Sequence, residues 1–239
     1  MRDADANFTV FDVPSPLAYT VALSINDVGD ITGYFGDANG ALHGFIRSAS
    51  GIFSVFNVPG AATSNGVGTV PHQMAANGDI VGMFNDTSLA LHGFLRAADG
   101  TFTVLDAPGA ATGTNSGTIA FSINVDATVA GIIQVASPGA GHSFLRTSGG
   151  TYTIFDPPIT GVLDSWAFGI NDNGVVVGSY TDRKTSHGFL RTPDGTFAVL
   201  DAPNATAPGG TVAKGINAAG AVIGFYTDAQ NITHGFVYR

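Results

Sequence analysis

The chain has 239 residues, 44% of them hydrophobic and only 11% charged, a composition that can bury a core and excludes a disordered chain. All 18 acidic residues are Asp against 9 Lys and Arg, and the formal charge of −9 excludes nucleic acid and anionic membrane surfaces, which need a basic face. There is no Cys, and no apolar run approaches the roughly 20 residues of a helical bilayer span, so disulfides, thiolate chemistry and helical membrane insertion are excluded too.

With 33 Gly, 11 Pro and no Glu, the residues are those of turns and strands, and an all-β fold is expected. In chain order, residues 8–14 read first as a short strand in which the aromatic Phe8 is followed six residues later by Pro14. Next comes Ser24-Ile25-Asn26 with Gly29 and Gly33, a strand, a polar turn and a second strand. A third strand carries His43-Gly-Phe-Ile-Arg47, and a fourth runs from Phe53 toward Pro59. The unit then recurs. His43, His92, His142, His187 and His234 stand at intervals of 49, 50, 45 and 47, and Phe102, Tyr152 and Phe197 repeat the aromatic-to-Pro spacing at Pro108, Pro158 and Pro203. The turn block returns as Ser122-Ile123-Asn124, Gly169-Ile170-Asn171 and Gly215-Ile216-Asn217, whereas the second repeat has Gln73-Met74-Ala75.

A recurring four-strand unit predicts a five-bladed β-propeller, four antiparallel strands per blade, in one domain over residues 1–239. The expected units are 15–59, 60–108, 109–158, 159–203, and 204–239 together with 1–14. The N-terminal strand is expected to join the last blade and close the ring, removing exposed sheet edges.

The unit Gly-Ile-Asn, Gly-apolar-Gly, His-Gly-Phe-Leu-Arg and Gly-Thr-Phe-Thr-Val-Leu-Asp-Ala-Pro resembles the bacterial extracellular HAF repeats over about residues 8–239, with Gly44, Gly93, Ser143, Gly188 and Gly235 where that family's name has Ala. The resemblance implies a secreted, periplasmic or envelope location, in keeping with a start at Met1-Arg2-Asp3 that lacks a signal segment and so reads as a mature or trimmed chain. It brings no catalytic residues. In architecture the chain is also similar to tachylectin-like five-bladed lectins, a likeness that implies one sugar site per blade.

The five repeated His are expected to be structural, because equivalent positions on five blades cannot converge on one ion. Each would tie its third strand to a neighbouring loop. The repeated Arg47, Arg96, Arg146 and Arg191 are expected to pair with Asp37, Asp86, Asp182 and Asp228. No calcium loop or phosphate loop is present, so neither metal nor cofactor is expected.

Asymmetry marks the other candidates. The slot two before the repeated Ile reads Leu23, His72, Phe121, Phe168 and Lys214, and the next reads Ser24, Gln73, Ser122, Gly169 and Gly215. If the first strand is innermost, His72, Gln73 and Lys214 lie near the central channel, with Trp166 leading in. Tyr34, Phe84, Tyr180 and Tyr226 are candidates for stacking on sugar faces or for the inter-blade core. The leading reading is a non-catalytic extracellular module that binds carbohydrate, or another small ligand, at repeated sites. Two alternatives remain open. One is a hydrolase or lyase with a single site at the channel mouth, using His72, Asp164 and Lys214, with Ser165 as the hydroxyl of a possible triad. The other is an envelope scaffold.

Overall fold

A computed structural model describes residues 8–14, 17–135 and 141–239 of the protein. It is an all-β propeller of five blades of the four-strand antiparallel type. The first blade holds β1 (Leu17–Ile25), β2 (Ile31–Asp37), β3 (Leu42–Arg47) and β4 (Phe53–Phe56), and the second β5 (Thr69–Met74), β6 (Ile80–Asn85), β7 (Leu91–Arg96) and β8 (Phe102–Leu105). The third has β9 (Thr118–Ile123), β10 (Val129–Gln134), β11 (Gly141–Arg146) and β12 (Tyr152–Phe155). The fourth has β13 (Asp164–Ile170), β14 (Val176–Thr181), β15 (Ser186–Arg191) and β16 (Phe197–Leu200), and the fifth β17 (Thr211–Ile216), β18 (Val222–Thr227) and β19 (Thr233–Tyr238). Strands pair in sequence order within each blade. The first strands β1, β5, β9, β13 and β17 pack on one another in succession and are therefore innermost. Residues 1–7, 15–16 and 136–140 of the expected units lie outside the described residues.

The repeated Ile-Asn forms the turn between first and second strands. Asn26 Oδ1 accepts the Asp30 amide at 2.9 Å, and Asn124, Asn171 and Asn217 do the same for Thr128, Val175 and Ala221, a local bond that competes with continued strand and so ends it. The departure at Ala75 leaves the turn intact through the backbone bond from the Ala75 amide to the Asp79 carbonyl at 2.8 Å. The same Asn residues also link blades: Asn124 Nδ2 donates to the Asn171 carbonyl and Asn171 Nδ2 to the Asn217 carbonyl.

The core is a stack of blade faces. Phe45, Phe94, Phe144 and Phe189, from the His-x-Phe motif, are fully buried. The expected Arg to Asp pairing is not what forms. Arg96 lies over Phe56 of the preceding blade at 5.2 Å and Arg191 over Phe155 at 4.8 Å, while Asp37, Asp86, Asp182 and Asp228 face the repeated His instead. The physical reason is the rise of the strand: Arg sits four residues beyond His, roughly 13 Å away at the far end of the same strand from the acid.

Residues 8–14 occupy the place of a fourth strand against the first blade. Phe11 packs on Phe45 and Phe53 beneath Arg47 at 4.9 Å, and the Val13 amide reaches Thr20 Oγ1 at 3.4 Å. Val58 and Ala107 bond Thr69 and Thr118 in the same way in later blades. On the other side the sheet of the fifth blade comprises β17, β18 and β19. Its outward face is open: Ile223 is 55% exposed, whereas its counterparts Thr32, Val81, Ala130 and Val177 are fully buried.

Candidate functional site

Every first strand carries one extra residue relative to the second. The ladder shifts at Ala22/Ser24, Pro71/Gln73, Ala167/Gly169 and Ala213/Gly215, and in β9 between Ala120 and Ser122. The skipped residues are Leu23, His72, Phe121, Phe168 and Lys214. A bulge leaves its residue unpaired and re-aims the side chain, so the variable slot noticed in the sequence is a ring of bulge residues on the innermost strands. The bulge draws the facing second strand so close that a Cβ at Gly33, Gly82, Gly131, Gly178 or Gly224 would collide with the carbonyl of Val21, Val70, Ile119, Trp166 or Val212. This close approach accounts for the repeated apolar-Gly pattern.

Around the ring the side chains touch in order. His72 stacks on Phe121 at 4.9 Å, Phe121 meets Phe168 at 5.3 Å and Trp166 at 6.3 Å, and the Lys214 ammonium lies 3.4 Å from the centre of the Phe168 ring. His72 Nδ1 donates to the Ala120 carbonyl at 2.8 Å, since a carbonyl only accepts. Burial holds His72 below its ordinary pKa, the Lys214 charge adds to this and the Ala120 bond opposes it; burial likewise lowers Lys214. Beyond the ring, the five turns enclose a cavity of about 350 Å³ lined by Asn26, Gln73, Ile123, Asn171 and Asn217 among others.

Gln73 proves to be a linker. Its Oε1 accepts the Ile123 amide of the next blade at 2.8 Å, as Ser24 accepts Met74 and Ser122 accepts Ile170. Nor do the catalytic candidates assemble. His72 bonds a backbone carbonyl, and Asp164 lies four residues before the β13 bulge, roughly 13 Å along the strand. Ser165 Oγ donates to Asp156 at 2.6 Å, and Asp156 in turn holds His142 Nδ1 at 2.8 Å. A nucleophile relay needs the imidazole in the middle, whereas here the carboxylate is. The cause is local: the position equivalent to Ala107 is Pro157, which has no amide for Ser165 to accept.

The second constellation repeats on the blades. His92 Nδ1 meets Asp106 at 2.7 Å and its Nε2 meets Asp86 at 3.4 Å. His43 lies between Asn57 and Asp37, and His187 between Asp201 and, at 3.7 Å, Asp182. Among the described residues His142 has Asp156 alone, and His234 has Asp228 alone. Each acid at the end of a second strand uses its other oxygen to hold the hairpin amides, as Asp86 does for Ser88 and Ala90. The Ser88 hydroxyl bond, with those amides and His92, brings Asp86 from an ordinary 3.8 down to about 2. Of the aromatic candidates, Phe84, Tyr180 and Tyr226 stack on His92, His187 and His234, Phe84 and Tyr180 being buried. Tyr34 faces the other way, edge-on to Tyr19 at 6.2 Å, and its neighbour Phe35 takes the His43 slot. The sequence reading missed Phe35, which the position of Phe84 relative to Gly82 identifies. Grooves of about 490 Å³ beside Asp37, His43 and Asn57 and about 470 Å³ beside Tyr226, Asp228 and His234 adjoin these clusters.

Neither a protein-family model nor a curated protein sequence matches the chain. Among solved structures it is similar to virginiamycin B lyase from Staphylococcus aureus, with a TM-score of 0.57 at 16% identity over 98% of this chain and 75% of the other. AofleA from Arthrobotrys oligospora gives 0.49 at 12% identity over 95% and 71%, and the fucose-specific lectin from Aleuria aurantia 0.44 at 11% over 100% and 79%. At such identities the likeness to the lyase is one of fold.

Proposed function

We propose that the protein is a carbohydrate-binding propeller whose sites are the repeated His and acid clusters, acting outside the cytoplasm in the secreted or envelope setting that its HAF resemblance suggests. The observation that carries this reading is the recurrence, in the first, second and fourth blades, of an imidazole between two oxygen-bearing side chains at the surface. Partly exposed carboxylates held in place by hairpin amides are acceptors of the kind to which vicinal hydroxyls donate. The apolar wall beside them suits the C–H face of a sugar ring. Weak sites on several blades gain strength on a branched or repetitive glycan through multivalency. A glycan array followed by titration calorimetry tests it: binding is expected for the wild type and a marked loss for Asp86→Asn combined with Asp182→Asn. An array without hits, or hits indifferent to both substitutions, would overturn it.

A further inference from the structure

The junction of the third and fourth blades departs from the repeat at several positions in one place. Where the second, third and fifth blades have Gly68, Gly117 and Gly210 at the start of the first strand, the fourth has Asp164. A side chain at those glycines would collide with the carbonyl of Leu42, Leu91 or Ser186. Asp164 is accommodated because that close approach is not made: the parallel bridges Leu42↔Gly68 and Leu91↔Gly117 have no counterpart between Gly141 and Asp164 among the described residues. Gly141 stands where the other blades have Leu42 and Leu91, and Trp166 where they have Val70 and Ile119, so the bulk of the pair has moved onto the indole. The single tryptophan of the chain thereby sets its Nε1 3.3 Å from the place that a Cβ of Gly141 would take.

Filling space accounts for the body of Trp166 but not for the polar atoms around it. Asp164 Oδ1 and Gln134 Oε1 are buried with no hydrogen-bond partner, a costly state for a carboxylate oxygen above all. Among the described residues Asp164 has no ion pair either, and the indole N–H donates to nothing. These groups share one corner. Asp164 and Trp166 are two residues apart on β13, ahead of its bulge, and so lie on one face. Ile132 packs with Trp166, and Gln134 follows Ile132 by two on the same face of β10, opposite Gly141 in the ladder. All three residues are half-buried, so the corner is reached from solvent. We infer that it is a binding site for a small organic ammonium, with Asp164 as counter-charge, Gln134 as second acceptor and Trp166 as aromatic wall. A charged N–H is the donor that a buried carboxylate oxygen holds most strongly, and an indole is the best of the aromatic partners for a cation. A bare metal ion would leave the indole unused, and an anion would face Asp164. The adjoining Phe168 ring, 5.8 Å from Trp166, already carries the ammonium of Lys214 at 3.4 Å. The indole N–H adds a place for an acceptor, so the ligand bears a hydroxyl or carbonyl beside its amine. The site occurs once per chain, away from the blade grooves, and does not rest on the carbohydrate reading.

The single tryptophan reports this site directly. Titration of the intact protein with ethanolamine at constant ionic strength is expected to give a saturable change in indole emission, and ethylene glycol, which lacks the amine, none. Choline keeps the charge without the N–H donors and is expected to bind about tenfold more weakly, the loss of one charge-assisted hydrogen bond. Asp164→Asn should abolish the ethanolamine response. Gln134→Thr, which gives β10 the residue type that Thr181 has at the same place in the fourth blade, should weaken it; an unchanged melting temperature shows that each variant is folded. Asp86→Asn with Asp182→Asn should leave the response intact, so failure of the glycan grooves and failure of this site are told apart. No emission change with ethanolamine, an equal change with ethylene glycol, or a response indifferent to both Asp164→Asn and Gln134→Thr would overturn the inference. A response to methyl glycosides alone would overturn it in favour of a sugar.

Discussion

The second and third blades share a backbone and differ at the groove. In the second, His92 sits between Asp86 and Asp106 with Phe84 on its face. In the third, Val135 replaces the hairpin acid, Ile133 replaces the aromatic, Pro157 removes an amide, and Asp156 is diverted to Ser165. The third blade nevertheless keeps its complete ladder and a fully buried Phe144, as the second keeps Phe94. A blade therefore folds without the full cluster. The acids retained in the first, second and fourth blades are thus free to serve a ligand, while the buried aromatics Phe35, Phe84 and Tyr180 join the core phenylalanines in carrying the fold.

That contrast can be broken first at the core. Phe94→Ala and Phe144→Ala should each lose about 3–5 kcal/mol in urea unfolding, equally in the two blades. A large difference between them would mean that the groove residues do support the second blade. Gln73→Ala should lose less, about 1–3 kcal/mol, because it leaves the Ile123 amide without its acceptor. The matching change Ser122→Ala should behave alike at Ile170.

Acidity sharpens the comparison further. Asp86 has a folded pKa of about 2 against an ordinary 3.8, so its contribution is fully present above that ordinary value and is lost as pH falls through about 2. Melting temperature should hold down to mildly acidic pH and then drop, and Asp86→Asn should flatten part of that drop. His92→Gln should barely move the urea midpoint, since half-exposed pairs contribute little, while weakening glycan binding. Chelator should leave the melting temperature unchanged, a result that a differential scan checks directly.

The blade count and the turns were legible because each depends on local chemistry repeated at fixed spacing: Asn at a turn, Gly at a close approach, Phe in a core. The repeated His were legible for the same reason; each bonds a side chain of a neighbouring loop, and those exposed partners give the protein its best candidate site. The linking role of Gln73 was not legible because a different side chain, Ser, makes the same inter-blade bond elsewhere. The Arg partners were misread because shared periodicity does not reveal which end of a strand a residue occupies. The bulges were invisible, since one extra residue in a five-fold repeat leaves the repeat itself unchanged.

The most direct test of the account is calorimetric titration of the best array hit to obtain the number of sites per chain. Several equivalent sites, falling as Asp37→Asn, Asp86→Asn and Asp182→Asn are combined, is the predicted result. A single site that survives all three substitutions and is lost with His72→Ala or Lys214→Ala would contradict it and move the function to the channel ring.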